Sequence, residues 1–313
     1  MTDCASFTPL THEGVLAIRG ADAKTFLQGQ ITCHLGYVND NRSSLGARCT
    51  PKGRMLSSFR VLLENDGYLL AMDYDILVAQ LAELQKFAVF SKSKLSDDSA
   101  LWSRFGLYQA DSALLALGIE LPAEPNSIVH HNHMIAVRVS AELAELWVHA
   151  DEGACLRKRL LGHLVEAPLN MWLLAQIRSG IGHVTMPTRE QFIPQMLNLP
   201  ALDAVSFKKG CYTGQEIVAR MQYLGKLKRH MYRFQLTSQT IPEPGTPLIS
   251  PVHSSAVGEV VSAAQSEYGV ELLATALDDA VADGRIYLES DEKTLLEQLE
   301  LPYALDTERE ILR

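Results

Sequence analysis

The five cysteines, Cys4, Cys33, Cys49, Cys155 and Cys211, are odd in number, widely scattered and without a C-x-x-C pair. That excludes a disulfide framework and a zinc knuckle, so any cysteine with a chemical role acts alone. No apolar run approaches the roughly 20 residues of a membrane span. The start, Met1-Thr-Asp-Cys-Ala-Ser-Phe-Thr-Pro-Leu10, has no basic region followed by an apolar stretch, and the chain is expected in the cytoplasm. Positive charge is scarce: 28 basic against 37 acidic side chains leave a formal −9, which argues against a surface that grips nucleic acid all over. There is no Walker P-loop. Gly180-Ile-Gly182 is not a dinucleotide fingerprint, because Thr185 stands where the third glycine belongs.

What is present is an ordinary globular composition, 47% hydrophobic over 313 residues, enough for two or three structural units. Strands are predicted at 16–20, 57–63 and 68–72, the last two joined by the hairpin turn Asn65-Asp-Gly67. Helical period marks 22–30 and 76–87. Further strands are predicted at 102–108, 134–139 and 146–149, and helices at 153–164 and 169–177. His131 and His133 would share a strand face as metal ligands, but His130-His131-Asn132-His133 reads better as a polar turn with no spaced partner. After Lys228 the pattern changes: Tyr232, Phe234 and Leu236 alternate with Arg233 and Gln235, followed by the punctuation of 241–247. Strands at 258–262, 270–274 and 285–289 then suggest a small sheet or barrel, with 293–313 as a short helix and tail.

One stretch stands apart. Thr213 and Glu216 have capping-box spacing, and Ile217, Val218, Met221 and Leu224 follow with helical period, so a helix is predicted from about Thr213. Cys211 would then precede a helix N-terminus, where the dipole and the charges of Lys208 and Lys209 favour a thiolate. The alternative is a small buried hydrophobe. Lys208, Lys209, Arg220, Lys226, Lys228, Arg229 and Arg233 face one acid, Glu216, over 208–233. Such a run is either a solvated face or a dock for an anionic ligand tail or a nucleic-acid phosphate.

The run Lys209-Gly-Cys-Tyr-Thr-Gly-Gln-Glu216, followed by Ala219-Arg220 and the basic 226–229, resembles the signature of the YgfZ-type folate-binding proteins, relatives of the glycine-cleavage aminomethyltransferase (T-protein). Other blocks resemble the family in the same order: 18–22, 26–32, Lys52-Gly53, 86–90, 177–180 and 192–199. The resemblance implies an α+β fold, a ring of two interleaved ferredoxin-like subdomains (5–227) plus a C-terminal β-barrel (228–313). It further implies a central cavity for tetrahydrofolate or a one-carbon derivative. Trp172 matches an aromatic thought to contact the pterin, and Gln195 and Asn198 become candidate cavity lining. Their alternatives are a core tryptophan and a loop that merely turns. The motif residues carried over are Lys209, Gly210, Cys211, Tyr212, Gly214, Gln215, Glu216 and Arg220, with Cys211 as the functional thiol.

Two departures from the family pattern stand out. A second tryptophan that relatives carry before the first strand is missing where this chain reads His12-Glu13-Gly14-Val15. Aminomethyltransferases place carboxylates just beyond the glycine of the Lys52-Gly53 block, where this chain has Leu56, Ser57 and Ser58. The resemblance therefore points to the accessory branch, which supports synthesis or repair of iron–sulfur clusters in client enzymes, including radical enzymes that thiolate tRNA. No classical catalytic activity is expected. One thiolate cannot hold a cluster, so none is assigned. A folate-dependent one-carbon transferase, aminomethyl or demethylating, is the alternative, and direct tRNA binding through Lys226, Lys228 and Arg229 is a third reading.

Overall fold

The computed structural model describes residues 4–65, 67–225 and 227–305. They form three sheets. The first has six strands in the order Val165–Glu166, Ser6–Pro9, Trp102–Tyr108, Leu143–His149, Met134–Arg138 and Ile128–His131. In the second the order is Ser44–Cys49, Met55–Glu64, Gly67–Asp73, Glu13–Arg19 and Lys94–Asp97. The chain thus lays one strand in the first sheet, builds the second, and returns at Trp102. Seven strands make the third, an antiparallel sheet curled as a half-barrel and drawn from 229–299.

Period-2 patterning explains how the first two sheets meet. Val15, Ala17, Leu62, Leu69 and Ala71 of one pack with Trp102, Ile135, Val137 and Trp147 of the other, because alternate side chains share a face. The opposite face of the second sheet, with Leu16 and Ile18, buries against Ile76, Leu77 and Leu84 of the helix Tyr74–Phe87. That helix starts where Asp73 Oδ1 accepts from the amides of Asp75 and Ile76, a side-chain N-cap. The outer face of the first sheet, Phe105, Leu107, Leu146 and Val148, is covered by the helices Asp111–Ala116 and Gly153–Leu160. Both strands of the predicted hairpin are present, with Glu64 paired to Gly67 and Asn65 at φ +50°.

The helix Leu169–Arg178 ties the third sheet to the others. Asn170 exchanges two hydrogen bonds with the backbone of Gln265, at 2.9 and 2.8 Å, and Glu271 accepts from both Arg178 and Arg233. One expectation is corrected. Within 293–305 there is no helix: Asp291–Leu295 and Glu297–Leu299 are strands, the latter pairing with Arg233–Gln235, whose edge offered unpaired backbone groups. Residues 306–313 of that expectation lie outside the described residues. His131 and His133 do not share a strand face: Asn132 and His133 both take positive φ (46° and 63°) in a two-residue hairpin turn, as the polar-turn reading requires. Among the described residues no group of three or more His, Cys, Asp or Glu is placed to hold a metal, and no helix is long and apolar enough to cross a membrane.

Candidate functional site

The signature segment is a loop stitched onto the turn at 28–33. Ser206 N donates to Thr32 O and Thr213 N to Gly29 O, at 2.9 and 3.2 Å. Lys209 is the central tie: its buried Nζ donates to Gln28 O and Ile31 O at 2.6 Å and to Cys33 O at 3.0 Å. All three ammonium protons have an acceptor. The same Nζ lies 4.9 Å from the Tyr212 ring centroid, within cation–π range. Burial pulls its pKa down to about 8, still protonated at neutral pH. The charge of Lys209 is therefore spent on carbonyls, which corrects its expected role beside the thiol of Cys211. That thiol is exposed, which sets aside the buried-hydrophobe alternative.

The predicted helix start is also corrected. The helix runs Gln215–Tyr223, and its N-cap is Gly214 at φ +87° with no side-chain cap. The Thr213–Glu216 capping box does not form, because Thr213 N is held by Gly29. A Cβ on Gly214 would lie 2.5 Å from Thr50 O and 3.1 Å from Cys49 Cβ, so both the approach and the positive φ require glycine. Gln215 Oε1 turns back to accept from Tyr212 N at 3.2 Å. Cys211 still precedes the helix N-terminus, now by four residues, since the helix begins at Gln215. Gly53 abuts Ile217 from below, where a Cβ would be 3.0 Å away. Glu216 and Arg220 are exposed, as are Lys208 and Lys228; Lys226 lies outside the described residues. Leu224, expected on the apolar face, is 84% exposed, since the helix has ended at Tyr223.

The 192–199 block braces this assembly. Gln195 Nε2 donates to Val218 O at 2.7 Å. Asn198, left-handed at φ +56°, donates from Nδ2 to Met231 O at 2.8 Å and accepts from Met231 N at 3.4 Å. Its amide is tied to the third sheet instead of its own turn. Two buried atoms here lack a protein partner, Gln195 Oε1 and Tyr212 OH. Beneath the loop, burial raises the Cys33 and Cys49 thiols to about 11 and about 12, so neither is a thiolate at neutral pH. Burial also raises the Tyr212 phenol, with Cys49 and Cys33 adding to it.

Trp172 lies elsewhere, against Gly106 of the first sheet. It is buried, and its ring presses on Gly106, where a Cβ would be 2.4 Å from Trp172 Cε3. By register Gly106 faces the same way as Arg104 and opposite Glu145. Those two belong to a buried charge network that sequence reasoning missed. Arg104 Nη1 donates to Glu13 Oε2 and its Nη2 to Glu145 Oε2, both at 2.7 Å. Arg60 Nε lies 3.5 Å from Glu145 Oε1, Trp147 Nε1 donates to Glu145 Oε2 at 2.9 Å, and the Arg104 guanidinium is 4.1 Å from the Trp147 ring centroid. Four buried charges of alternating sign cancel. Burial pushes the Glu13 carboxyl up, but Arg104, His12 and His183 outweigh it and hold it at about 2. Burial lowers His183, a nearby imidazole, against the opposing pull of Glu13. Three buried atoms of this region have no protein partner: Trp172 Nε1, Arg104 Nε and His12 Nδ1. A legible signal did exist, since Arg60, Arg104 and Glu145 each interrupt an apolar strand, and such charges are rarely buried unless paired.

A curated tRNA-modifying protein YgfZ of Escherichia coli (strain SE11) is 32% identical over 297 residues, covering 92% of this chain and 90% of the relative. The chain belongs to the YgfZ family. A YgfZ protein of Shigella boydii serotype 18 (strain CDC 3083-94 / BS512) matches to the same extent. Among solved structures, glycine cleavage system aminomethyltransferase T from Bartonella henselae superposes with a TM-score of 0.71, over 97% of this chain and 86% of that one, at 14% identity. At that identity the likeness shows the fold, and the fold is the expected T-protein one. No family model matches the chain.

Within this YgfZ-family fold the two serines at the departure point are already committed. Ser57 Oγ bonds Gln80 Oε1 on the helix side of its strand, and Ser58 Oγ, on the inter-sheet side, accepts from Val184 N at 2.8 Å. Glu13 and Glu145, the buried carboxylates nearby, are held by arginines. The arrangement supplies a polar, aromatic-walled interior and, apart from it, an exposed thiol on a pinned loop. Around the charge network three buried polar atoms have no protein partner, Trp172 Nε1 among them, a chemistry that suits a flat ligand with polar edges.

Proposed function

We propose that the chain is a tetrahydrofolate-binding accessory protein that supports synthesis or repair of iron–sulfur clusters in client enzymes, including those that thiolate tRNA. The observation that carries folate binding is the set of buried, unpartnered atoms Trp172 Nε1, Arg104 Nε and His12 Nδ1 around one paired charge network. Buried polar groups are rarely left without partners, and a flat ligand with donors and acceptors on its edge would satisfy them. Trp172, Arg104 and His12 would hold it; the group supplies a carrier for one-carbon units. Cys211 is the thiol offered to a client, supported by its exposure on a loop fixed through Lys209. The relatives' description as tRNA-modifying supports the place in tRNA modification.

A one-carbon transferase is disfavoured on this reading. Ser57 and Ser58 are already bonded, and Glu13 and Glu145 are spent on arginines, so none of these four offers a free carboxylate or hydroxyl for one-carbon transfer. Calorimetric titration of the purified protein with tetrahydrofolate under anaerobic conditions, repeated with Trp172→Ala, tests the proposal. Micromolar binding that the substitution weakens is expected; absence of binding would overturn the folate reading. Cys211→Ala is expected to keep the fold while abolishing support of the client enzymes. Full complementation by that variant would remove the thiol from the function.

A further inference from the structure

The segment joining the helix Tyr74–Phe87 to the edge strand Lys94–Asp97 turns its large side chains outward. Phe90 is 101% exposed, Val89 70% and Phe87 60%, which is costly unless something covers them. The display is built rather than loose. Ala88 is buried as its anchor, Ser91 N donates to Ala88 O at 2.9 Å, and Lys92 N donates to Asp22 Oδ2 at 2.8 Å. Cations flank the rings: Lys86, Lys92 and Lys94 are exposed, with no acid between 86 and 94. The Arg48 guanidinium lies 5.8 Å from the Phe87 ring centroid. The acids close by are Asp22 and Glu83, and Glu83 is shared between Arg48 and Arg189. The patch is therefore positive in a chain whose net charge is −9.

A merely solvated lysine face has no need of phenyl rings. Exposed rings beside ammonium groups match unpaired nucleotides, whose bases stack while their phosphates meet the lysines. We propose that residues 86–94, together with Arg48, bind the unpaired nucleotides of an RNA, and that this surface, rather than Lys228 and Arg229, is the chain's contact with tRNA. The proposal rests on the reading of the chain as an accessory of tRNA modification. The strand end that carries Arg48 also meets the signature loop, because its neighbour Cys49 lies against Gly214. RNA seated there lies beside the loop that carries Cys211.

The test is fluorescence anisotropy of a labelled, unmodified tRNA transcript with the full-length chain between about 50 and 200 mM salt, where phosphate contacts declare themselves. Phe87→Ala combined with Phe90→Ala is expected to weaken binding roughly 10- to 100-fold at every salt concentration, as lost base stacking does. Replacing Lys86, Lys92 and Lys94 with glutamine is expected to reduce the slope of log affinity against log salt by about 2. Lys228→Gln with Arg229→Gln is expected to change little. Wild-type affinity in the aromatic variant, or loss of binding that maps to Lys228 and Arg229, would overturn the proposal. So would aromatic-dependent binding to vesicles of equal parts phosphatidylcholine and phosphatidylglycerol without binding to the transcript. Tetrahydrofolate titration of the same samples separates the two readings. Lost RNA binding with folate affinity intact is the expected behaviour of the aromatic variant, and a wild-type protein that binds folate but no RNA overturns this proposal alone.

Discussion

Replacing Glu13 with glutamine keeps the shape of the side chain while removing the charge that faces Arg104 at 2.7 Å. At neutral pH the variant leaves one carboxylate, Glu145, to serve both Arg104 and Arg60, a net positive charge sealed between two sheets. Breaking one member of a buried pair costs about 3–5 kcal/mol, because the partner's desolvation is no longer compensated. The pH dependence follows from the same geometry. The Glu13 carboxyl is held at about 2 in the fold against 4.5 in the free side chain, so as pH falls the unfolded chain binds the proton first. The stabilisation is complete above about 4.5 and disappears on the way down to 2, and at 1.36 kcal/mol per pH unit it amounts to about 3 kcal/mol. Urea unfolding followed by tryptophan fluorescence is the assay, since Trp147 donates to Glu145 within the network. Wild type and Glu13→Gln are compared at pH 7, 5, 4 and 3. The gap between them should be widest at pH 7 and 5 and narrow at 4 and 3. Parallel profiles would refute the assignment of this acid sensitivity to Glu13, and a gap below about 1 kcal/mol at pH 7 would refute the buried pairing itself.

Lys209→Met removes three charge-assisted bonds and leaves three carbonyls of the 28–33 turn unpaired. A loss of about 3 kcal/mol or more is expected in chemical unfolding, together with a changed rate of Cys211 alkylation; an unchanged alkylation rate would show that the loop does not depend on this tie. Gly106→Ala drives a methyl group into the Trp172 ring, costing about 1–3 kcal/mol and weakening tetrahydrofolate affinity alongside. Gly214→Ala meets Thr50 O while holding φ +87°, and the positive φ alone costs about 1–2 kcal/mol before the clash is counted. A thermal midpoint within a degree of wild type would show that the helix entry rearranges freely.

Much of the secondary structure was legible because it rests on local periodicity. The strands around Leu16, Val61 and Leu70 alternate or run apolar, the helix over 76–87 repeats its leucines at helical spacing, and Asn65-Asp-Gly67 could hardly be anything except a turn. The signature at 209–216 was equally plain as a string of residues. Its geometry was not, because Thr213 looks like a helix cap until the carbonyl of Gly29 is seen to claim its amide. Local spacing can propose a capping box but cannot see a competing acceptor far away in the chain.

By itself, then, the sequence determined many of the strands and helices, the apolar faces they bury and the family motif, all of which depend on neighbours a few residues apart. Only the tertiary structure decided the roles of the charged residues. Lys209 beside Cys211 in sequence suggests an electrostatic partner, yet in the fold its ammonium reaches the carbonyls of Gln28, Ile31 and Cys33. Glu13, Arg60, Arg104 and Glu145 come from four strands of two sheets, and nothing in their sequence spacing foretells that they meet. A buried charge is tolerable only where its counterion is, and which strands face each other across the core is a property of the packed sheets.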